Sequence, residues 1–130
     1  MIRIVLDTNV LVSALLNSDG PPAGVLNLIL SGKVYLLYDT RIVKEYKAVL
    51  LKSKFGFRKE WIDPLLDFIE AEGHYVVSEP WSGEMINEGD RKFWEAAISG
   101  QASCLVTGNR KHYPADERII SPAMFRSVPF

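Results

Sequence analysis

The fold is decided by residues 2–16, which read IRIVLDTNVLVSALL. The apolar run at 2–6 predicts a β-strand, and the apolar spacing over 8–16 predicts a short helix. The polar segment that begins at Asn17 ends this helix. A strand that leads directly into a helix indicates a crossover connection, by which parallel strands are joined.

The same alternation of strand and helix continues to the end of the chain. Further strands are predicted at 34–38, 74–77, 104–107 and 118–120, and further helices at 21–30, 40–51, 58–72 and 90–100. Strands separated by helices imply a parallel sheet that is covered on both faces. We therefore predict an α/β fold with three layers, α/β/α, and a central parallel sheet of four to five strands.

Length and composition predict one ordinary globular domain over residues 1–130. With 48% hydrophobic and 24% charged residues, the chain lies far from the composition of disordered proteins. Cys104 is the single cysteine, which excludes an internal disulfide and suits a reducing compartment. No apolar run is long enough for a signal peptide or a membrane span. These features predict a cytoplasmic protein that does not bind membranes.

Charge is unevenly distributed along the chain, although the net charge is only -1. Residues 41–59 hold seven of the fifteen Lys and Arg residues and a single acid, Glu45, whereas residues 60–90 hold nine acids and no Lys or Arg. Such segregation can form a positive surface for a phosphate backbone. The alternative is two solvated helix faces of opposite sign. Lys44 and Lys47 flank Glu45 and are the basic residues expected nearest to a site.

Three polar residues are predicted at the carboxyl ends of the strands, where open parallel sheets bind ligands. Asp7 directly follows the first strand, Asn109 follows the fourth, and Asp90 begins the helix that leads into the fourth. Asp90 shares a helix face with Phe93 and Trp94, which lie three and four residues later. An ionised carboxylate on an apolar face is costly unless a positive group meets it.

Glu45 lies at the border between the apolar stripe of its helix and solvent, from which it can reach a cleft. Each acid also has a simpler interpretation: Asp7 and Asp90 as helix N-caps, Glu45 as an exposed residue among lysines. Carboxylates gathered at one cleft repel each other, which favours a cation between them. Oxygen ligands without a nearby histidine or thiolate suit Mg²⁺ or Mn²⁺.

Four stretches of the chain resemble, in order, the motifs of the PIN-domain family. They are LDTNVLVSA at 6–14, Glu45 in the helix after the second strand, DRKFWEAA at 90–97 and LVTGNRKH at 105–112. The resemblance implies a divalent-metal-dependent endoribonuclease. It also implies that the chain is the toxin of a toxin–antitoxin pair, with an antitoxin protein as partner, and that it forms a homodimer or higher homo-oligomer.

The resemblance also implies roles for individual residues. Asp7, Glu45 and Asp90 would be catalytic and hold the metal, and Asp7 or its bound water would help to activate the nucleophile. Thr107 would position a ligand or phosphate. Many family members carry Asp where this chain has Asn109, whose amide oxygen can coordinate a metal but adds no charge. We therefore expect one tightly bound ion rather than two.

Further residues are assigned to the RNA substrate. Lys44 and Lys47 are expected to bind its backbone, and Arg110 to contact a phosphate, although a solvated loop is an equal alternative for Arg110. Asn9, in the first motif, is also assigned to the substrate side, the alternative being a local turn.

Competing functions remain open at this stage. The first is a catalytically inert PIN-like module that binds RNA or protein, which Asn109 favours. A phosphotransfer enzyme with an aspartyl nucleophile would need a second Asp two residues after the first, where this chain has Asn9. The apolar end at 124–130 suggests a role in association, which is compatible with a nuclease.

Two other sets of residues are kept out of the predicted site. Glu95 lies about 140° from Asp90 around the same helix and is excluded for that reason. The tryptophans Trp61, Trp81 and Trp94 are interpreted as core or interface residues.

Overall fold

The computed structural model describes residues 2–126. Its strands are β1 (Ile2–Leu6), β2 (Val34–Tyr38), β3 (His74–Tyr75), β4 (Cys104–Val106) and β5 (Ile119–Ile120). Its helices are α1 (Thr8–Leu16), α2 (Pro21–Leu30), α3 (Thr40–Leu50), α4 (Lys59–Glu72), α5 (Arg91–Ser99) and α6 (Pro122–Arg126). Short 3-10 turns occur at Ser53–Phe55, Glu88–Asp90 and Arg110–His112. No helix within the described range is long and apolar enough to cross a membrane.

The five strands form one parallel sheet in the order β3-β2-β1-β4-β5. The chain builds outward from β1 to β3, then returns to place β4 on the other side of β1. The point between β1 and β4 is therefore the topological switch point, where ligands bind at the carboxyl ends of the strands. Leu6, the last residue of β1, pairs with Val106, the last residue of β4. The predicted three-layer α/β/α fold is confirmed.

Local sequence features set the ends of the helices. Asp39 caps α3 by accepting a hydrogen bond from the Ile42 N–H at 3.0 Å. Gly73 ends α4 at a close approach of two chain segments. A Cβ atom at this position would lie 2.5 Å from the Ile69 carbonyl oxygen and 2.7 Å from that of Leu36. Only glycine fits this junction between α4 and the sheet.

Several predicted element ends differ from the structure, by two residues at β3 and by one residue elsewhere, and one helix was not predicted. β3 is shorter than 74–77 because the chain leaves the sheet after Val76, and Val77 is exposed. Asp90 belongs to a 3-10 turn, so α5 begins one residue later than predicted. Part of the apolar end proposed for association forms α6, whose Phe125 is buried in the core. Residues 127–130 of that stretch lie outside the described residues.

Candidate active site

Asp7 lies at the switch point and is almost completely buried, with 5% of its surface exposed. Its Oδ2 atom accepts hydrogen bonds from the hydroxyls of Thr107 and Tyr113, both at 2.9 Å. Asp7 occupies the N-cap position of α1 without a full side-chain capping hydrogen bond, although the nearby Asn9 N–H stabilises its carboxylate and opposes the rise of its pKa. Burial raises the pKa of Asp7, the two hydroxyls oppose this, and the charge of Glu45 adds to the rise.

The surroundings of Asp7 fix its position further. The Asp7 N–H donates to the Val106 carbonyl at 3.0 Å, which ties the residue to β4. The buried Tyr46 hydroxyl donates to the carbonyl of the preceding residue, Leu6, at 2.5 Å. Thr107, which was assigned to ligand or phosphate binding, is fully buried and also accepts the Asn109 N–H at 3.0 Å. Its hydroxyl therefore positions Asp7 in this structure, and direct contact with substrate stays a prediction.

Glu45 on α3 is held by two partners that the sequence did not indicate. The Thr8 hydroxyl donates to Oε2, and the Lys92 ammonium donates to Oε1 at 2.7 Å. The side chains of Glu45 and Lys92 are 29% and 19% exposed, respectively. Lys44 and Lys47, which were expected nearest to the site, are exposed. The interpretation of Glu45 as an exposed acid among these two lysines is wrong.

Lys92 was missed although it lies inside the third motif, two residues after Asp90. Its ammonium also donates to the Gly89 carbonyl, so it bridges the start of α5 and the middle of α3. The only signal in the sequence was a lysine in the first turn of a helix whose next residue, Phe93, is buried. That pattern is common on solvated helices, and spacing alone does not show how far a lysine reaches.

Asp90 is the third acid of the site, and its side chain is 16% exposed. Its Oδ2 atom lies 3.2 Å from His112 Nδ1, and it makes no capping hydrogen bond to α5. Burial raises the pKa of Asp90, the negative charges of Asp7 and Glu45 raise it further, and His112 opposes the rise. The structure thus brings together the three predicted acids, because each feels the charge of another.

The donor chemistry of this site suits a divalent cation. Three carboxylates from different elements converge where negative charge is already unfavourable, and a hard cation relieves that repulsion. Within residues 2–126, no group of three His, Cys, Asp or Glu side chains is placed so that it could hold a metal ion. Protein donors hold each acid instead, and Lys92 holds an oxygen of Glu45 that an ion would use.

A cleft of about 650 Å³ is lined mainly by residues 107–116, among them the side chains that contact Asp7 and Asp90 but none of the three acids themselves. Asn109 and Arg110 are exposed and line this cleft. The Asn9 side chain is half-buried, and its Oδ1 atom accepts the Gly108 N–H at 3.3 Å, which joins α1 to the rim of the cleft. A local turn therefore does not fully account for Asn9, because its side chain contacts Gly108, in the loop after β4.

Glu95 is separate from the three acids, in agreement with its exclusion on helical geometry. It is buried and accepts hydrogen bonds from the Arg41 guanidinium and the Trp81 N–H, both at 2.8 Å. Arg41 also pairs with Asp39 at 2.8 Å. Burial alone would raise the pKa of Glu95, but the hydrogen bonds from Arg41 and the Trp81 N–H and the charges of two arginines together outweigh it, and the pKa is lowered. Arg41 therefore stabilises the fold and is not part of an open basic surface.

Comparison with known proteins identifies the family of the chain. The family model described as PIN domain matches residues 3–111, which include all three acids. An uncharacterized protein from Methanocaldococcus jannaschii is 30% identical over 115 residues, an alignment that covers 84% of this chain and 72% of that protein. PIN domains are usually nucleases, which places the chain among hydrolases at a coarse level. The chain belongs to the PIN-domain family.

Proposed function

We propose that this protein is a divalent-metal-dependent endoribonuclease that hydrolyses RNA phosphodiester bonds. The observation that carries the proposal is the convergence of Asp7, Glu45 and Asp90 at the switch point of the sheet. Two of these acids have raised pKa values, caused by burial and by the other acids. The adjoining cleft offers room for a strand of RNA at the same edge.

Mg²⁺ or Mn²⁺ would be held by Asp7, Glu45 and Asp90, with the Asn109 amide oxygen as a further ligand. When bound, such an ion supplies positive charge for the phosphate and lowers the pKa of water. Support for the ion comes from the donor set, which offers several oxygens and no thiolate.

The residues of the chain prepare Asp7 as a proton acceptor. Thr107 and Tyr113 donate hydrogen bonds to Oδ2 and so fix the orientation of the carboxylate before substrate binds. Asp7 therefore accepts a proton from the attacking water, and His112 Nδ1 keeps Asp90 in place beside it.

Substrate binding in this proposal uses the exposed basic residues. Lys44 and Lys47 on α3 and Arg110 in the cleft bind phosphates, and Asn9 contacts the strand near Asp7. The roles of toxin, antitoxin partner and homo-oligomer are part of the proposal, and the likeness to the PIN-domain family supports them. The proposed location is the cytoplasm, a reducing compartment with which the single cysteine is consistent.

The test is cleavage of labelled single-stranded RNA by the wild type, Asp7→Asn and a matched control, Asp63→Asn. Asp63 is an acid on α4 whose partner is Lys59, outside the site. We expect cleavage that requires Mn²⁺ or Mg²⁺, stops with chelator, disappears in Asp7→Asn and persists in Asp63→Asn. If all three proteins bind RNA and none cleaves it, the inert binding module is the correct function.

A further inference from the structure

The segment that joins α3 to α4 carries alternating basic and aromatic side chains on the surface of the protein. We define the basic–aromatic surface as Lys52, Lys54, Phe55, Phe57, Arg58 and Trp61. Phe55 and Phe57 stack on each other, with ring centroids 5.8 Å apart and planes 20° apart. Trp61, in the first turn of α4, is 62% exposed, so it is not a core residue.

Cations lie over the aromatic rings of this surface. The Lys54 ammonium is 5.1 Å from the centre of the Phe55 ring, and the Arg58 guanidinium is 5.3 Å from that of Trp61. An exposed apolar patch rimmed by polar residues marks a binding surface, and Trp61 with its basic neighbours is such a patch. In each pair, the cation lies over one face of the ring and brings a positive charge next to it.

The charge of the surface identifies the partner as an anion. Residues 46–59 contain five Lys and Arg residues and no acid. Arg58 lies 3.7 Å from Glu60, but within residues 2–126 no carboxylate is in ion-pair distance of Lys52 or Lys54. Two unneutralised ammonium groups in the same segment as the half-buried Phe55 and Phe57 and the exposed Trp61 match a ligand that has phosphates and flat, apolar faces.

We propose that the basic–aromatic surface binds unpaired nucleic acid, with bases stacked on Trp61 and phosphates against Lys52 and Lys54. Base stacking on aromatic side chains requires bases that are not already paired in a duplex. The surface follows the end of α3, and five helical residues separate Glu45 from Leu50, about 8 Å along the axis. A single strand bound on this surface would have to continue along α3 toward Glu45 to reach the cleavage site.

Only this last step, the path of the strand into the site, rests on the proposed nuclease function. Binding to the surface needs neither a metal ion nor the three acids, so it is measured with chelator present. The two proposals can therefore fail separately. Absence of metal-dependent cleavage contradicts the nuclease function. Unaltered nucleic-acid binding by the surface variants contradicts the role of the basic–aromatic surface.

The experiment measures binding of a labelled oligouridine and of an RNA duplex to the wild type, Trp61→Ala and Tyr75→Ala. Tyr75, on β3, is a matched control because it is also aromatic and 58% exposed. We expect Trp61→Ala to weaken single-strand binding by on the order of 10-fold and to leave duplex binding unchanged. Tyr75→Ala should bind like the wild type. Quenching of tryptophan fluorescence by oligouridine should be lost largely with Trp61.

A double variant, Lys52→Ala with Lys54→Ala, tests the phosphate contacts independently of stacking. Each phosphate contact with a single strand contributes about 0.7 to the slope of log affinity against log salt concentration. The double variant loses two contacts, so this slope should fall by about 1.4. Circular dichroism and thermal unfolding show whether the variants are folded. Wild-type oligouridine binding by Trp61→Ala would overturn the proposal. So would concentration-dependent self-association that Trp61→Ala abolishes, because the surface would then be an interface between copies.

Discussion

Replacement of Lys92 by methionine tests how this chain controls its acidic site. The Lys92 ammonium lies 2.7 Å from Glu45 Oε1, and both side chains are less than one-third exposed. A divalent ion that uses Glu45 must break this bond before it can bind. Methionine keeps the unbranched stem and its packing but removes the positive charge. We therefore expect Lys92→Met to bind Mn²⁺ more tightly than the wild type does.

The size of the effect follows from the burial of the pair. Exposed ion pairs contribute about 0–1 kcal/mol, and hydrogen bonds to charged groups contribute about 1.5–3 kcal/mol. The Lys92–Glu45 pair lies between these cases, which gives about 1–2 kcal/mol. Because about 1.4 kcal/mol corresponds to a tenfold change in an equilibrium constant, the variant should bind Mn²⁺ about 5- to 30-fold more tightly.

The assay is isothermal titration calorimetry with Mn²⁺ at fixed ionic strength on the wild type, Lys92→Met and Lys44→Met. Lys44 is the exposed residue before Glu45, so its replacement removes the same charge without breaking the Glu45 ion pair. Lys44→Met should change the affinity by less than about twofold, because exposed charges are screened. An affinity in Lys92→Met equal to that of the wild type or of Lys44→Met would refute the competition.

Three further predictions concern stability and RNA binding. In chelator at neutral pH, Asp7→Asn should unfold at a higher temperature than the wild type, and this difference should shrink as the pH falls toward about 4. Tyr46→Phe should lower the free energy of unfolding by about 1–3 kcal/mol, because a buried carbonyl loses its donor, whereas Tyr35→Phe should have little effect. Replacing Lys44 and Lys47 with alanine should weaken RNA binding and reduce its salt slope by about 1.4.

The sign of the Asp7 prediction follows from its raised pKa. The folded state keeps the Asp7 proton to a higher pH than the unfolded state, so stability is lost as the pH rises through that interval. Asparagine has no charge to bury and can still accept from Thr107 and Tyr113. A difference in Tm that stays constant between neutral and acid pH would contradict this reasoning. Equal stability of Tyr46→Phe and Tyr35→Phe, or an unchanged salt slope, would contradict the other two predictions.

Most of the fold could be predicted because apolar periodicity sets strands and helices before any tertiary contact is known. β1, β2 and α1 occur at the predicted residues, since each is an apolar run bounded by polar turns. The positions of Asp7 and Asp90 followed from the rule that places ligands at the carboxyl ends of parallel strands. Short edge elements were less predictable, because β3 ends where its partner strand ends and not where its apolar residues do.

The residues that hold the acids could not be predicted, because they come from loops and long side chains. Tyr113 reaches Asp7 from the turn after Arg110–His112, across more than a hundred residues of sequence. Lys92 reaches Glu45 from another helix. Neither contact leaves a periodic signal, since it depends on loop conformation and on the reach of a flexible side chain. Trp61 was interpreted as a core or interface residue, and its exposure excludes the core, against the average tendency of tryptophan to be buried.

The charges of the site indicate how many metal ions it can hold. Asp7, Glu45 and Asp90 contribute three negative charges when ionised, and Lys92, paired with Glu45, contributes one positive charge. The local sum of about two negative charges balances one divalent ion, whereas a second ion would add uncompensated positive charge. Asn109, where many family members have Asp, supplies an oxygen but no further negative charge. We therefore expect calorimetry to give one Mn²⁺ per chain, and Asn109→Asp to be the single substitution that allows a second ion to bind.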